Sequence, residues 1–329
     1  MVKTVSQYKV VITDADDYTT FQHEKKELEN IAEIIAIGHC KTEEDVIEIA
    51  EEAHGMIVNY APITKKVLSS LKNMKVISTY GVGVNTIDLD AASSFGIYVL
   101  NVPTYGIDEV SDHALALILV CIRRIVQFNN LVREGIWDFK SGGLIFRIRE
   151  KILGIVGFGN IGRRLAQKAQ SLGFEIISYD PYIQLSEMKK YNVQKTNLKN
   201  LLERSDIVSL NAPLTKNSRY LIGESELKLM KSTAYLINTC RGGVINQKDL
   251  FKALKEKWIS GAAVDVSEQE PIDKNSDLLK LENFIITPHV GWYSIESEEI
   301  LKRETAKNIA KILRGEKPEN IVNKDVLKY

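Results

Sequence analysis

Short runs of β-branched and aliphatic residues alternate along almost the whole chain with longer stretches in which apolar positions recur every three to four residues. The short runs read as strands over YKVVITD (8–14), IIAIG (34–38), GMIVN (55–59), KVISTY (75–80) and YVLNV (98–102). A second set follows: KILGIVGFG (151–159), FEIISYD (174–180), DIVSLN (206–211), AYLINTC (234–240), GAAVDV (261–266) and FIITPH (284–289). Between them, segments such as EEDVIEIAEEA and KKVLSSL carry the helical period. Strands separated by helices of this length imply βαβ units and parallel sheets. Near-continuous Val, Ile and Leu within each run fits strands covered on both faces.

The two sets are joined by DEVSDHALALILVCIRRIVQ, which predicts one long apolar helix over about 108–127. A further amphipathic helix is predicted over about 295–314. The pattern predicts an α/β protein of two doubly wound parallel-sheet domains. Residues 1–102 with the tail 294–329 form one, and residues 103–293 the other. By pattern alone the tail fits either domain.

Composition narrows this further. The chain has 329 residues, 44% hydrophobic and 26% charged, an ordinary globular balance for about two domains. Lys plus Arg equals Asp plus Glu at 43 each, so no basic surplus points to nucleic acid. No apolar run approaches the roughly 20 residues that span a bilayer, so no membrane partner is expected. The N-terminal MVKTVSQYKVVITDADD meets acid too early for a signal peptide. Three widely spaced cysteines, Cys40, Cys121 and Cys240, make no metal pattern and suit a reducing compartment, so the cytoplasm is the expected location.

Candidate chemistry begins at Gly157-Phe158-Gly159-Asn160-Ile161-Gly162, a G-x-G-x-x-G that follows the apolar strand KILGIV and opens a helix near Ile161. That context makes the pattern a dinucleotide loop: one glycine for a tight turn, one for the approach of a pyrophosphate, one for close helix packing. The next strand ends in Asp180, 18 residues past Gly162. A carboxylate there accepts hydrogen bonds from the adenosine ribose and repels a 2′-phosphate, favouring NAD over NADP.

Three later strands each end in a polar residue on the edge where ligands of open α/β sheets bind. Arg241 follows LINTC, Glu270 follows AAVDV by a short turn, and His289 ends IITPH. Reduction of a 2-keto acid needs these parts. An imidazolium donates a proton to the carbonyl oxygen, a carboxylate stabilises and orients the ring, and a guanidinium holds the substrate carboxylate. Thr239 and Cys240, at the end of LINTC, fall on the cofactor side, with Cys240 read as a buried thiol. His113 beside Asp112 reads as a surface or packing residue, because adjacent helical positions do not face each other.

At these residues the chain resembles the D-isomer-specific 2-hydroxyacid dehydrogenase family, over nearly its whole length. The strongest stretches are GIVGFGNIGRRLA, SLNAPLTKNSRYLIG, LINTCRGGVINQKDL, AAVDVSEQEPI and TPHVGWYS. The last, with Trp292 and Tyr293 after the His, is most similar to the C-terminal-binding-protein-like branch. The resemblance implies a Rossmann NAD-binding domain, a flavodoxin-like substrate domain and a cleft that closes on substrate. It also implies a homodimer built through the cofactor domain.

By the same resemblance, Arg241 binds substrate, His289 is the proton donor and Glu270 its partner. Asp265 holds the nicotinamide carboxamide, and Asn211 to Thr215, Pro213 included, line the adenine side. Tyr80, Gly81, Val82 and Gly83 offer backbone amides to the substrate carboxylate, and Trp292 shapes the pocket. In phosphoglycerate dehydrogenases of the family the loop after the third strand carries arginines. Here it is Val58-Asn59-Tyr60-Ala61, so Asn59 and Tyr60 face an unphosphorylated substrate. Thr79, Asn85 and Thr86 also depart from the family pattern. The expected activity is NAD-dependent hydride transfer at C2 of a small 2-keto or 2-hydroxy acid. The alternative is an NAD-gated dimeric binding protein of corepressor type with little turnover.

Overall fold

The computed structural model describes residues 7–15 and 20–328. Residues 1–6 and 16–19, part of the N-terminal stretch weighed above for targeting, lie outside the described residues. The strands among those described are β1 (Tyr8–Ile12), β2 (Ala32–Ile37), β3 (Gly55–Val58), β4 (Val76–Thr79), β5 (Tyr98–Leu100), β6 (Ile152–Val156), β7 (Glu175–Tyr179), β8 (Gln194–Lys195), β9 (Ile207–Leu210), β10 (Tyr235–Asn238), β11 (Gly261–Val264) and β12 (Phe284–Ile286). The helices are α1 (Gln22–Glu27), α2 (Glu43–Ala50), α3 (Lys65–Ser70), α4 (Leu89–Ser94), α5 (Ile107–Ile122), α6 (Ile125–Arg133), α7 (Asn160–Ser171), α8 (Leu185–Lys189), α9 (Leu198–Arg204), α10 (Glu224–Leu229), α11 (Gln247–Lys255) and α12 (Ile295–Leu313). The chain divides into two compact units, Met1–Tyr105 with Ser294–Tyr329, and Gly106–Tyr293.

The first unit holds a parallel sheet in the order β2-β1-β3-β4-β5. This is the flavodoxin-like order, whose direction reverses between β1 and β3. Central β3 and β4 are buried at every position, as continuous apolar runs demand. IIAIG reads just as apolar, yet it lies in edge strand β2, where Ile35 and Ile37 stay partly exposed. Helix α12 lies against α1, β3 and β4, so the tail packs on the first unit. Gly55 allows this: a Cβ there would stand 2.9 Å from Ile309 Cγ2. Beyond the helix, the Asn323 side chain accepts from Val99 N at 2.8 Å and donates to Ile97 O at 2.8 Å.

The second unit holds a parallel sheet in the order β12-β11-β10-β9-β6-β7-β8, with its reversal between β6 and β9. That is the doubly wound dinucleotide-binding arrangement. Edge strand β8 is two residues long, and no apolar run announced it. The single helix expected over 108–127 is broken. Helix α5 ends at Ile122, and α6 leaves it at 57°. Arg124 adopts a left-handed conformation at φ 53°, and its guanidinium donates to Gly142 O at 2.9 Å. The break is thus a tertiary device without a glycine or proline to mark it. Among the described residues no single helix is long and apolar enough to cross a membrane.

Candidate active site

The glycine loop takes the form the dinucleotide pattern requires. Gly157 has φ +92°, and a Cβ on it would meet Asn211 C and O at 2.7 Å. A Cβ on Gly162 would meet Gly157 O at 2.3 Å, so this glycine brings α7 onto the strand. Gly159, the residue that caps α7, faces open space within 4 Å. An anion has room there, at the positive end of a helix. Phe158 is fully buried with its ring edge-on to Tyr191, so its side chain serves the core. Asp180 braces the loop from β7, accepting from Phe158 N at 2.8 Å and from Tyr182 N at 2.8 Å.

Two buried polar atoms on this sheet edge lack a hydrogen-bond partner, Asn211 Oδ1 after β9 and Thr239 Oγ1 after β10. Orphaned buried polar atoms are costly and point to a missing ligand. Together with the open face of Gly159, they fit a dinucleotide. Pro213 and Thr215 sit in an exposed turn closed by Ser218, whose hydroxyl donates to Pro213 O at 2.6 Å and accepts from Thr215 N at 2.7 Å. Ser218 was not singled out in the sequence.

The polar trio sits on three successive strands of the same edge. Arg241 follows β10, half-buried, with one guanidinium nitrogen donating to Cys240 O at 2.7 Å. Gly242 is bare because a Cβ would lie 2.0 Å from Ser267 C and O. The loop after β11 therefore presses directly on the Arg241 turn, and this loop carries Glu270. The Glu270 carboxylate accepts from Ser267 N at 3.0 Å and pairs with His289 Nδ1 at 2.6 Å. Burial raises the carboxyl's pKa. The hydrogen bond and charge of His289, the Ser267 N–H and the charge of Arg241 outweigh burial and hold it below the usual Glu range. His289 has φ 55°, a left-handed conformation uncommon for a residue with a Cβ. Strained backbone of this kind gathers at functional sites.

Asp265 is buried beneath that turn. Its carboxylate accepts from Thr287 Oγ1 at 2.5 Å, Val290 N at 3.0 Å and Gly291 N at 2.8 Å. Burial opposes its charge, but these donors and His113 lower its pKa from the ordinary Asp value. His113, given only a surface or packing role above, reaches Thr287 Oγ1 at 2.9 Å from α5. Asp112 instead pairs with Lys168. Cys240 is a protonated thiol, pushed up to about 11 by burial, and donates to Asn238 Oδ1. The Trp292 ring stands edge-on to Tyr293 with centroids 5.6 Å apart.

The substrate-side candidates of the first unit share one sheet edge. Asn59 and Tyr60 follow β3, and Tyr80, Gly81, Val82 and Gly83 follow β4. Sequence reasoning missed their organiser, Asp14. Its carboxylate accepts from Asn59 N at 2.8 Å, Tyr60 N at 3.0 Å and Ala61 N at 3.0 Å. A strand-end acid at the reversal between β1 and β3 was the available signal. Tyr80 turns its hydroxyl to buried Glu24 of α1, so its ring serves packing. Gly81 has φ +143°, Asn101 Nδ2 donates to Val82 O at 2.8 Å, and the Val82 side chain is exposed.

Comparison with known proteins places the chain in a family. Residues 115–291 match the family model described as D-isomer specific 2-hydroxyacid dehydrogenase, NAD binding domain. The glyoxylate reductase of Thermococcus litoralis is 42% identical over 271 residues, 80% of this chain and 82% of its own. The D-3-phosphoglycerate dehydrogenase of Methanocaldococcus jannaschii is 37% identical over 96% of this chain, which spans only 59% of that longer protein. The D-lactate dehydrogenase of Aquifex aeolicus, solved with NAD and lactic acid, superposes with a TM-score of 0.84 at 28% identity, over 97% of each chain. By sequence and by fold, the chain belongs to the D-isomer-specific 2-hydroxyacid dehydrogenases, a family of NAD-dependent oxidoreductases.

Proposed function

We propose that the chain reduces a small, unphosphorylated 2-keto acid to its D-2-hydroxy acid. The observation that carries this reading is the His289 Nδ1–Glu270 contact at 2.6 Å, on the sheet edge that also bears Arg241 and the glycine loop. The loop Gly157 to Gly162 would hold NAD, which when bound would supply the hydride chemistry at C2. His289, its Nδ1 engaged by Glu270, donates a proton from Nε2 to the substrate oxygen, and Glu270 stabilises the charged ring. Arg241 holds the substrate carboxylate and polarises the carbonyl. Asp265 and Thr239 serve the nicotinamide side, Asn211 the adenine side, and Asp180 the adenosine ribose.

An unphosphorylated substrate is supported by the loop at Asn59 and Tyr60. It has no cation, and its backbone amides already hold the Asp14 carboxylate. Relatives named glyoxylate reductase put glyoxylate first in a panel with pyruvate, hydroxypyruvate, phosphohydroxypyruvate and branched keto acids. NADH oxidation followed at 340 nm tests the reading. We expect turnover with NADH, preference for unphosphorylated acids, and a loss of about 10²–10⁴-fold in His289→Ala. Faster turnover of phosphohydroxypyruvate would overturn the substrate class. Tight NADH binding without turnover would favour the corepressor-type reading.

The cofactor unit also carries the proposed surface for a second copy of the chain. Helix α6 buries none of its residues, and the segment after it exposes Trp137, Phe139 and Leu144 by more than three-quarters. Large apolar side chains exposed together along one segment are the kind of surface that a protein contact covers. The three unpaired thiols suit a cytoplasmic location.

A further inference from the structure

The backbone of His289 is left-handed, and something must hold it there. The holding groups form a chain that starts on a different element. His113 Nε2, on α5, stands 2.9 Å from Thr287 Oγ1 and 3.5 Å from Asp265 Oδ1. Thr287 Oγ1 gives its one proton to Asp265 Oδ1 at 2.5 Å, so it accepts from His113, whose Nε2 must carry the hydrogen. Asp265 then receives the N–H groups of Val290 and Gly291, and its backbone carbonyl receives the N–H of His289 at 2.8 Å. Successive donors in such a chain strengthen one another away from water, and Asp265 is only 3% exposed. Gly291 completes the fit, for a Cβ there would lie 2.9 Å from Asp265 Oδ2 and 3.2 Å from His113 Cδ2.

We propose that His113 and Thr287 are positioning residues for the proton donor: acting through Asp265, they hold the 287–291 turn in the left-handed form that aims His289 at Glu270. This rests on the reading of His289 as proton donor. Both act on the backbone of the turn, where His289 N also donates to Thr287 O at 3.0 Å. Their part is to fix the backbone that presents the His289 ring, a placement in which about 1 Å is worth about 10²-fold in rate.

The test compares Thr287→Val with Thr287→Ser, and His113→Leu with His113→Gln, in the full chain. The non-donating variants are expected to lower kcat by about tenfold or more while KM for NADH stays within about threefold, and the Ser and Gln variants to restore most of it. Hydrogen exchange of the Val290 and Gly291 amides gives a second readout that needs no turnover. It is expected to quicken in Thr287→Val and not in Thr287→Ser. Unchanged kcat in Thr287→Val overturns the proposal, as does unchanged exchange at those two amides. If His113→Leu fails to fold, the two Thr287 variants decide alone. If the wild type reduces no 2-keto acid, the dehydrogenase reading fails, and the exchange experiment still decides whether this chain holds the turn.

Discussion

Glu270 is held ionised below the usual carboxylate range by His289, the Ser267 N–H and Arg241, and that fixes how the pair responds to acid. A carboxyl whose folded value is depressed contributes stability above its unfolded value, about 4.3, and loses it as pH falls through the folded value. Glu270→Gln removes this contribution. The difference in Tm between wild type and variant is therefore expected to be steady near neutral pH. It should shrink once pH falls below about 5 and vanish when both folded and unfolded carboxyls are protonated. A difference that grows in acid would show that the pair does not hold the carboxylate charged. Cys240 contrasts with this. Although it adjoins Arg241, burial dominates and leaves a neutral thiol that packs and donates weakly.

At the scale of elements, strand ends and bare glycines decide where the chemistry meets. Gly242 lets the loop after β11 touch the turn after β10, with 2.0 Å from its missing Cβ to Ser267. Gly242→Ala must push that loop away and carry Glu270 with it. Stability should fall, and kcat by about 10²-fold or more, with NADH binding far less affected. Titrating NADH by fluorescence alongside steady-state rates checks both halves. The strands and the trio Arg241, Glu270 and His289 were legible because short continuous apolar runs and strand-end polar residues are local patterns. His113 was not, since its partners Thr287 and Asp265 are more than 150 residues away in sequence. The left-handed break at Arg124 was hidden for the same reason, its cause being Gly142 O across a loop. Asp14 sat in view at a strand end, but its role depends on the backbone of a turn some 45 residues on.

For the whole molecule, the exposed apolar stretch from α6 to Phe146 sets the expectation. Trp137, 87% exposed, and Phe139, 78% exposed, are large rings for a monomer to leave in water. Light scattering after gel filtration is expected to report the mass of two chains. Trp137→Glu with Phe139→Glu is expected to shift it toward one chain by placing charge inside an apolar contact. A wild type that runs as a single chain at micromolar concentration would remove the dimer from the account.

The first unit is assembled from both ends of the chain. Val99 N is satisfied by Asn323, 224 residues later, and Gly55 is shaped for Ile309. During synthesis the second unit, contiguous from Gly106 to Tyr293, has all its parts before the ribosome releases the last of them. The N-terminal sheet must wait, its α12-facing side bare, until the final stretch emerges. Loop closure over such a separation adds only logarithmically to the entropy, so the finished unit loses little stability by it. The cost falls on time instead: a half-built sheet keeps apolar surface in water until α12 is made.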